Sequence, residues 1–197
     1  MQRARVNRSG FTASASLPHR LRMDDLYETL ASVNGGLVDR GLLPIEESLR
    51  GANFTAFLSD LLVVAVAKHA MGLTQNQYPN GHPDLIPKGR YPNGAVKSAA
   101  DGVEIKVTKR GPAVDMHGSR PGWYCVFQYI VDVETEPVIA RAPTRFARIW
   151  LARLTIADFR HNPRKSALST RTASPNARGV AKLRAGLVYR DDASSST

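Results

Sequence analysis

Two short segments of the chain carry side chains that could do chemistry together. The first is Gly81-His82-Pro83-Asp84, and the second, Glu104-Ile105-Lys106, begins twenty residues after the acid that ends the first. Two convergent carboxylates offer the hard oxygen ligands that Mg²⁺ prefers, and leave positions for water and a substrate phosphate. A lysine beside them could orient an attacking water and stabilise the charge that builds up on phosphorus. These residue types favour metal-assisted hydrolysis of a phosphate ester.

The segment around the second pair predicts a β-strand. Residues 103–108 alternate apolar and polar side chains, and the apolar ones are β-branched. Because successive side chains on a strand point to opposite faces, Glu104 and Lys106 should project together while the apolar residues enter the core. An acid and a lysine on such a strand are costly to bury unless they are paired. The alternative to such a site is a surface strand on which Glu104 and Lys106 are solvated, with Asp84 in a turn. His82 could touch the same site, although a loop histidine is more often solvated.

The two segments resemble the signature of the PD-(D/E)XK nuclease superfamily, carried here by Pro83-Asp84 and Glu104-Ile105-Lys106. The chain has no other Pro-Asp pair and no other tripeptide of an acid, any residue and lysine. The resemblance implies that Asp84, Glu104 and the backbone carbonyl of Ile105 bind Mg²⁺, for which we expect Mn²⁺ to substitute. It also implies that Lys106 serves the hydrolytic water.

Within the superfamily the chain looks most like a type II restriction endonuclease, because it is short and basic and has no helicase or ATPase segment. This resemblance implies a Mg²⁺-dependent, sequence-specific endonuclease that hydrolyses phosphodiester bonds of double-stranded DNA and works as a homodimer. Two alternatives stay open. One is a nuclease of the same superfamily that acts on modified or branched DNA, and the other is a basic DNA-binding protein without catalytic activity.

Many members of the superfamily add an acid from an upstream helix, for which the candidates here are Glu46, Glu47 and Asp60. Asp60 interrupts an apolar helix that should be buried, so we expect it to be the third acid at the metal. The alternative is a core acid paired with an arginine. Gln128, on the next strand, is a further candidate for a polar group at the site.

Positive charge is concentrated at the two ends of the chain. The 197 residues include 27 Lys and Arg against 17 Asp and Glu, a formal net charge of +10, which favours a polyanionic partner. Residues 1–22 hold five arginines and no acid, and residues 141–190 hold twelve Lys and Arg and one acid. We expect a basic N-terminal arm, about 1–20, and an Arg-rich C-terminal portion, about 141–190, to contact DNA. The candidate DNA contacts are Arg120, Arg145, Arg164, Lys165, Arg171, Thr172, Asn176 and Arg178.

The length suits one domain, a single nuclease domain over residues 1–197. Helices are predicted over 23–33, where Asn34-Gly35-Gly36 should end the first, from Pro44, and over 52–71. Strands are predicted over 103–108, 123–134, 146–156 and 187–189, with a hairpin tip over 109–120 and a loop over 160–181. This order predicts an α/β fold with a restriction-endonuclease-like core, a central mixed β-sheet flanked by helices.

Several classes of protein do not fit the sequence. The single cysteine, Cys125, excludes an internal disulfide and a zinc site built from several thiolates. The first residues lack the continuous apolar stretch of a secretory signal. The longest apolar run, 61–67, is too short to cross a bilayer. We therefore expect a cytoplasmic protein that does not act on membranes.

Overall fold

The computed structural model describes residues 5–6, 24–116, 118–163 and 172–191. The helices are α1 (Asp24–Val38), α2 (Ile45–Ser48), α3 (Gly51–His69) and α4 (Ala177–Ala185). The strands are β1 (Arg5–Val6), β2 (Leu73–Gln75), β3 (Leu85–Pro87), β4 (Val103–Thr108), β5 (Gly122–Ile130), β6 (Arg145–Leu154), β7 (Phe159–His161), β8 (Ala173–Pro175) and β9 (Leu187–Arg190).

Six of these strands form a mixed sheet in the order β9-β6-β5-β4-β3-β2, and the two-residue β1 pairs beside β9. The neighbours β4 and β5 run parallel, while every other pair in this sheet is antiparallel. Strands β7 and β8 make a separate antiparallel ribbon. The predicted α/β class is confirmed at this level: a mixed sheet packs against helices.

Helices α1 and α3 cover one face of the sheet. The apolar residues of β4, namely Val103, Ile105 and Val107, lie in this core together with side chains of α1 and α3. Six side chains of α3 are buried: Phe54, Leu58, Leu62, Val63, Ala65 and Val66. Among the described helices α3 alone has the length and hydropathy to cross a membrane, with 19 residues and a mean hydropathy of 1.3. Its packing against the sheet accounts for its apolar character.

A smaller apolar cluster covers the other face of the sheet. Tyr124 and Val126 of β5 and Trp150 of β6 pack there against Leu183 of α4. Met116, from the segment that joins β4 to β5, is buried in the same cluster. Glu104 and Lys106 lie on this face because they alternate with the three core residues of β4. The candidate site therefore lies on the face of the sheet opposite α3.

Helix α1 continues through the glycines predicted to end it. It runs to Val38, past Gly35 and Gly36, and the turn after it is closed by bonds to the carbonyls of both glycines. Each interior glycine costs about 1 kcal/mol relative to alanine. Burial of Leu26 and Leu30 anchors the helix in the core, and such tertiary packing overrides the local signal.

Two of the predicted connections are wrong. Residues 109–120 do not form a hairpin tip, because β4 and β5 are parallel and the chain must cross from one end of the sheet to the other. Residues 160–181 are not simply a loop, since they include most of β7, all of β8 and the first half of α4. The strand predicted over 187–189 is present as β9, which pairs with β6.

Candidate active site

Strand β4 holds Glu104 and Lys106 side by side. The Lys106 Nζ lies 2.5 Å from Glu104 Oε1, and the Glu104 residue is only 8% exposed. The face that these two share is the one predicted from the alternation of the strand. A lysine at this distance neutralises the carboxylate, which lowers the free-energy cost of burying the acid.

Asp84 joins the pair from the start of β3. The register Leu85↔Val103 brings the residues next to that pair, Asp84 and Glu104, to neighbouring positions on adjacent strands. Asp84 Oδ2 accepts a hydrogen bond from the backbone N–H of Ile105 at 2.8 Å. Because the N–H and C=O of one strand residue point to the same side, the Ile105 carbonyl faces the same edge of β4 as Asp84.

Gly102 lets β3 and β4 approach closely at this point. Its φ is +120°, and a Cβ at this position would lie 2.1 Å from the Leu85 carbonyl oxygen and 2.7 Å from Pro83 Cγ. Both the backbone angle and the contact distance therefore require glycine. The glycine is part of what places Asp84 against β4.

His82 is the fourth member of the cluster, and it is buried rather than solvated. Its Nδ1 lies 2.8 Å from Glu104 Oε2, and the residue is 6% exposed. The two oxygens of Glu104 thus have different partners, His82 at Oε2 and Lys106 at Oε1. The sequence places His82 beside the Pro83-Asp84 motif, but no pattern in it predicts the contact with Glu104.

The two carboxylates have opposite electrostatic environments. Burial, followed by the negative charge of Glu104, raises the pKa of Asp84 to about 6. Burial would also raise the pKa of Glu104, but the hydrogen bond from His82 and the charge of Lys106 outweigh it and lower that pKa to about 2. Ionisation is therefore less favourable for Asp84 than for Glu104.

Tyr124 lies next to Glu104 on the neighbouring strand, and no pattern in the sequence predicts that the two residues are close. Its hydroxyl donates a hydrogen bond to the backbone carbonyl of Arg120 at 2.8 Å. Burial, and then the negative charge of Glu104, raises the pKa of Tyr124. The bond fixes the backbone of Arg120, whose side chain is exposed, on the face of the sheet that carries Glu104.

The donor set suits a hard divalent cation. Asp84 and Glu104 repel each other, and a cation between them would relieve that repulsion. Among the described residues, no three His, Cys, Asp or Glu side chains converge as a complete set of ligands. Two carboxylates and a backbone carbonyl fit Mg²⁺, which keeps several waters and completes its octahedron with substrate phosphate.

Of the other acidic and polar candidates, none joins the cluster. Asp60 is exposed on α3, which packs against the opposite face of the sheet, so its assignment to the metal is wrong. Glu46 accepts hydrogen bonds from Asn34 and Thr144, and Glu47 pairs with Arg141 at 2.6 Å. Gln128 lies opposite Thr108 and accepts a hydrogen bond from Arg148.

The described candidates for DNA contacts differ in their exposure and in the bonds that they make within the protein. Arg120 is exposed, and its backbone carbonyl accepts a hydrogen bond from Tyr124, the neighbour of Glu104 on β5. Arg145 lies 2.6 Å from Asp191, and the exposed Arg178 lies 3.1 Å from the buried Asp158. The other two have internal hydrogen bonds: the Thr172 hydroxyl with Asn162, and the Asn176 side chain at the start of α4. Three further candidates lie outside the described residues: Arg164, Lys165 and Arg171.

Comparisons of the chain with protein-family models, with curated proteins and with solved structures give no match.

Proposed function

We propose that this protein is a Mg²⁺-dependent endonuclease of the PD-(D/E)XK type that hydrolyses phosphodiester bonds in double-stranded DNA. The observation that carries the proposal is the convergence of the three motif residues. Asp84 bonds to the backbone of β4 beside Glu104, and Lys106 contacts Glu104 at 2.5 Å. These residues are distant in sequence or alternate on a strand, and together they make one polar cluster at the margin of an apolar face.

Each side chain has a definite part in the proposed hydrolysis. Asp84, Glu104 and the Ile105 carbonyl would hold the cation. The bound cation would polarise the phosphate and lower the pKa of a water in its coordination shell. Lys106 would orient the attacking water and stabilise the negative charge that develops on the phosphoryl oxygens. The water oxygen would bond to phosphorus and lose a proton to solvent, the bond from phosphorus to one sugar oxygen would break, and that leaving oxygen would take up a proton from solvent.

The charge around the cluster supports a polyanionic substrate. Two exposed cations lie on the segment that joins β4 to β5, one near each end: Arg110 and Arg120. They are part of the surplus of positive charge that gives the whole chain a net charge of +10. Cations at these positions can bind phosphates on either side of the bond to be cut. A homodimer would supply the second cluster that is needed to cut both strands.

The experiment that tests the proposal is digestion of a plasmid of mixed sequence with Mg²⁺, followed by sequencing of the ends. Ends that share one sequence would support a restriction endonuclease. Cleavage confined to methylated or branched substrates would support the same chemistry on a different DNA. Binding without a nick in Mg²⁺ or Mn²⁺ would overturn the proposed hydrolysis and support a DNA-binding protein.

A further inference from the structure

His82 is held more rigidly than a loop histidine needs to be. Its backbone N–H donates to the Lys97 carbonyl at 3.1 Å, and its own carbonyl accepts from the Ala99 N–H at 2.8 Å. The next residue is fixed as well, since the Asn76 side chain donates to the Pro83 carbonyl at 3.0 Å. The imidazole therefore projects from a backbone that is anchored on both sides.

The residue before His82 shows how tightly this segment is packed. A Cβ on Gly81 would lie 2.5 Å from Asn76 Nδ2 and 2.7 Å from the Val96 carbonyl oxygen. The backbone at Gly81 is therefore packed closely between Asn76 and Val96. When His82 and Glu104 bond, the position of the histidine determines that of the carboxylate.

Glu104 needs such an anchor because of its other partner. A glutamate has three side-chain torsions, and the ammonium of Lys106 is free to draw both carboxylate oxygens onto itself. The bond from His82 engages Oε2 and leaves Oε1 towards Lys106. The contact with His82 thus occupies Oε2 of Glu104, and Oε1 is the oxygen that faces the reaction centre.

We propose that His82 is a positioning residue that holds Glu104 with Oε1 presented to the Asp84–Lys106 centre. This inference rests on the proposed function, because it gives Glu104 the role of a metal ligand. His82 touches neither the substrate nor the cation and acts only through the carboxylate. Hydrogen-bond partners of this kind behind a metal ligand typically contribute 10–100-fold to metal affinity.

The test compares His82→Ala with His82→Asn in Mn²⁺ binding, measured without DNA from the electron paramagnetic resonance signal of the free ion. The amide nitrogen of asparagine stands close to where histidine Nδ1 stands, so this variant can still donate to Glu104. We expect His82→Ala to weaken Mn²⁺ binding about 10–100-fold and His82→Asn to restore most of the loss. The matched control is His69→Ala, which removes another histidine–carboxylate contact, 2.6 Å to Asp25, between the helices on the opposite face of the sheet.

Cleavage supplies a second measurement that a merely structural role would not change. His82→Ala should raise the Mg²⁺ concentration that gives half-maximal cleavage about 10-fold or more. A loss of folded protein would lower the maximal rate and leave that concentration unchanged. Unchanged Mn²⁺ binding in His82→Ala, or binding in His82→Asn as weak as in His82→Ala, would overturn the role of His82.

Failure of the proposed function gives a different pattern. In that case the wild-type protein would neither bind Mn²⁺ nor cleave DNA, or Glu104→Gln would bind Mn²⁺ as well as the wild type. Either result would remove the metal-ligand role of Glu104, and the inference about His82 would fall with it.

Discussion

At the level of single residues, the cluster keeps a carboxylate where ionisation is unfavourable. Asp84 is close to Glu104, and its pKa is raised to about 6 by burial and by that neighbouring charge. Glu104 is already compensated by His82 and Lys106. A protein selected only for stability would replace Asp84 by a neutral residue. Retention of the acid is the pattern expected where a residue serves function at a cost in stability.

Asp84→Asn should therefore stabilise the metal-free protein at neutral and alkaline pH. The folded state holds the proton of Asp84 more tightly than the unfolded chain does, since its pKa rises from 3.8 to about 6. The stability that comes with that proton is complete below about pH 4 and is lost as the pH rises through about 6. Urea unfolding in EDTA should show the variant about 2–3 kcal/mol more stable at about pH 8, and the difference should vanish near pH 4.

Asp60→Asn is the matched control for this measurement, because Asp60 is exposed on the other side of the sheet. It should leave the free energy of unfolding within about 0.5 kcal/mol of the wild type at both pH values. Equal stability of Asp84→Asn and the wild type at about pH 8 would show that the Asp84 carboxylate is not strained.

At the level of secondary structure, the site depends on the place where β3 and β4 meet. Only one residue pair, Leu85↔Val103, joins these two strands in register, and Gly102 allows the close approach beside it. The long segment between β3 and β4 packs back onto this junction through the backbone of His82. The carboxylates are thus positioned by a short contact rather than by a long ladder of hydrogen bonds.

Gly102→Ala should disrupt this junction. The added methyl group meets the Leu85 carbonyl oxygen at 2.1 Å, and the φ of +120° is strained for alanine. We expect a loss of at least about 2 kcal/mol in the free energy of unfolding, measured by urea denaturation. Gly111→Ala is the matched control, since no atom lies within 4 Å of its added methyl group. A Gly102→Ala variant as stable as this control would contradict the close packing of β3 on β4.

The elements that could be predicted from the sequence are those with a strong local pattern. The alternation over 103–108 predicted β4 and the shared face of Glu104 and Lys106, both of which the structure has. The direction of β5 relative to β4 was missed, because strand pairing is set by long-range packing and not by either strand's own pattern. Helix α4 was not predicted, although asparagine is a typical residue at the start of a helix. The Asn176 side chain accepts a hydrogen bond from the Gly179 N–H.

The candidate site was predictable in its motif residues but not in its surroundings. Asp60 interrupts an apolar helix, yet it faces solvent because α3 buries only the side that packs on the sheet. His82 lies in a loop of polar and turn-forming residues, and its burial depends on bonds to residues fifteen or more positions away. Such contacts leave no periodic signal in the sequence.

At the level of the whole molecule, the surplus of positive charge and the position of the cluster indicate how DNA would approach. The carboxylates lie on the face of the sheet opposite α1 and α3, so under the proposed function the duplex would have to reach that face. Arg120 is exposed there, and its backbone is held by Tyr124. Arg40, in the turn after α1, belongs to the other side and donates to the Gly36 carbonyl.

Arg120→Ala should weaken DNA binding in a salt-dependent way. Each phosphate contact contributes about −0.9 to the slope of the logarithm of the binding constant against the logarithm of the salt concentration. Fluorescence anisotropy in EDTA should show this slope reduced by about one in Arg120→Ala and unchanged in Arg40→Ala. An unchanged slope in Arg120→Ala would place the DNA elsewhere on the protein.

The most direct test of the central claim is cleavage of plasmid DNA by variants that keep the shape of the cluster but remove its chemistry. Glu104→Gln and Lys106→Met should lower the rate of Mg²⁺-dependent cleavage at least about 100-fold, while Asp60→Asn retains the wild-type rate. All three should bind the same DNA in EDTA within a few-fold of the wild type. Wild-type cleavage by Glu104→Gln would contradict the assignment of the active site.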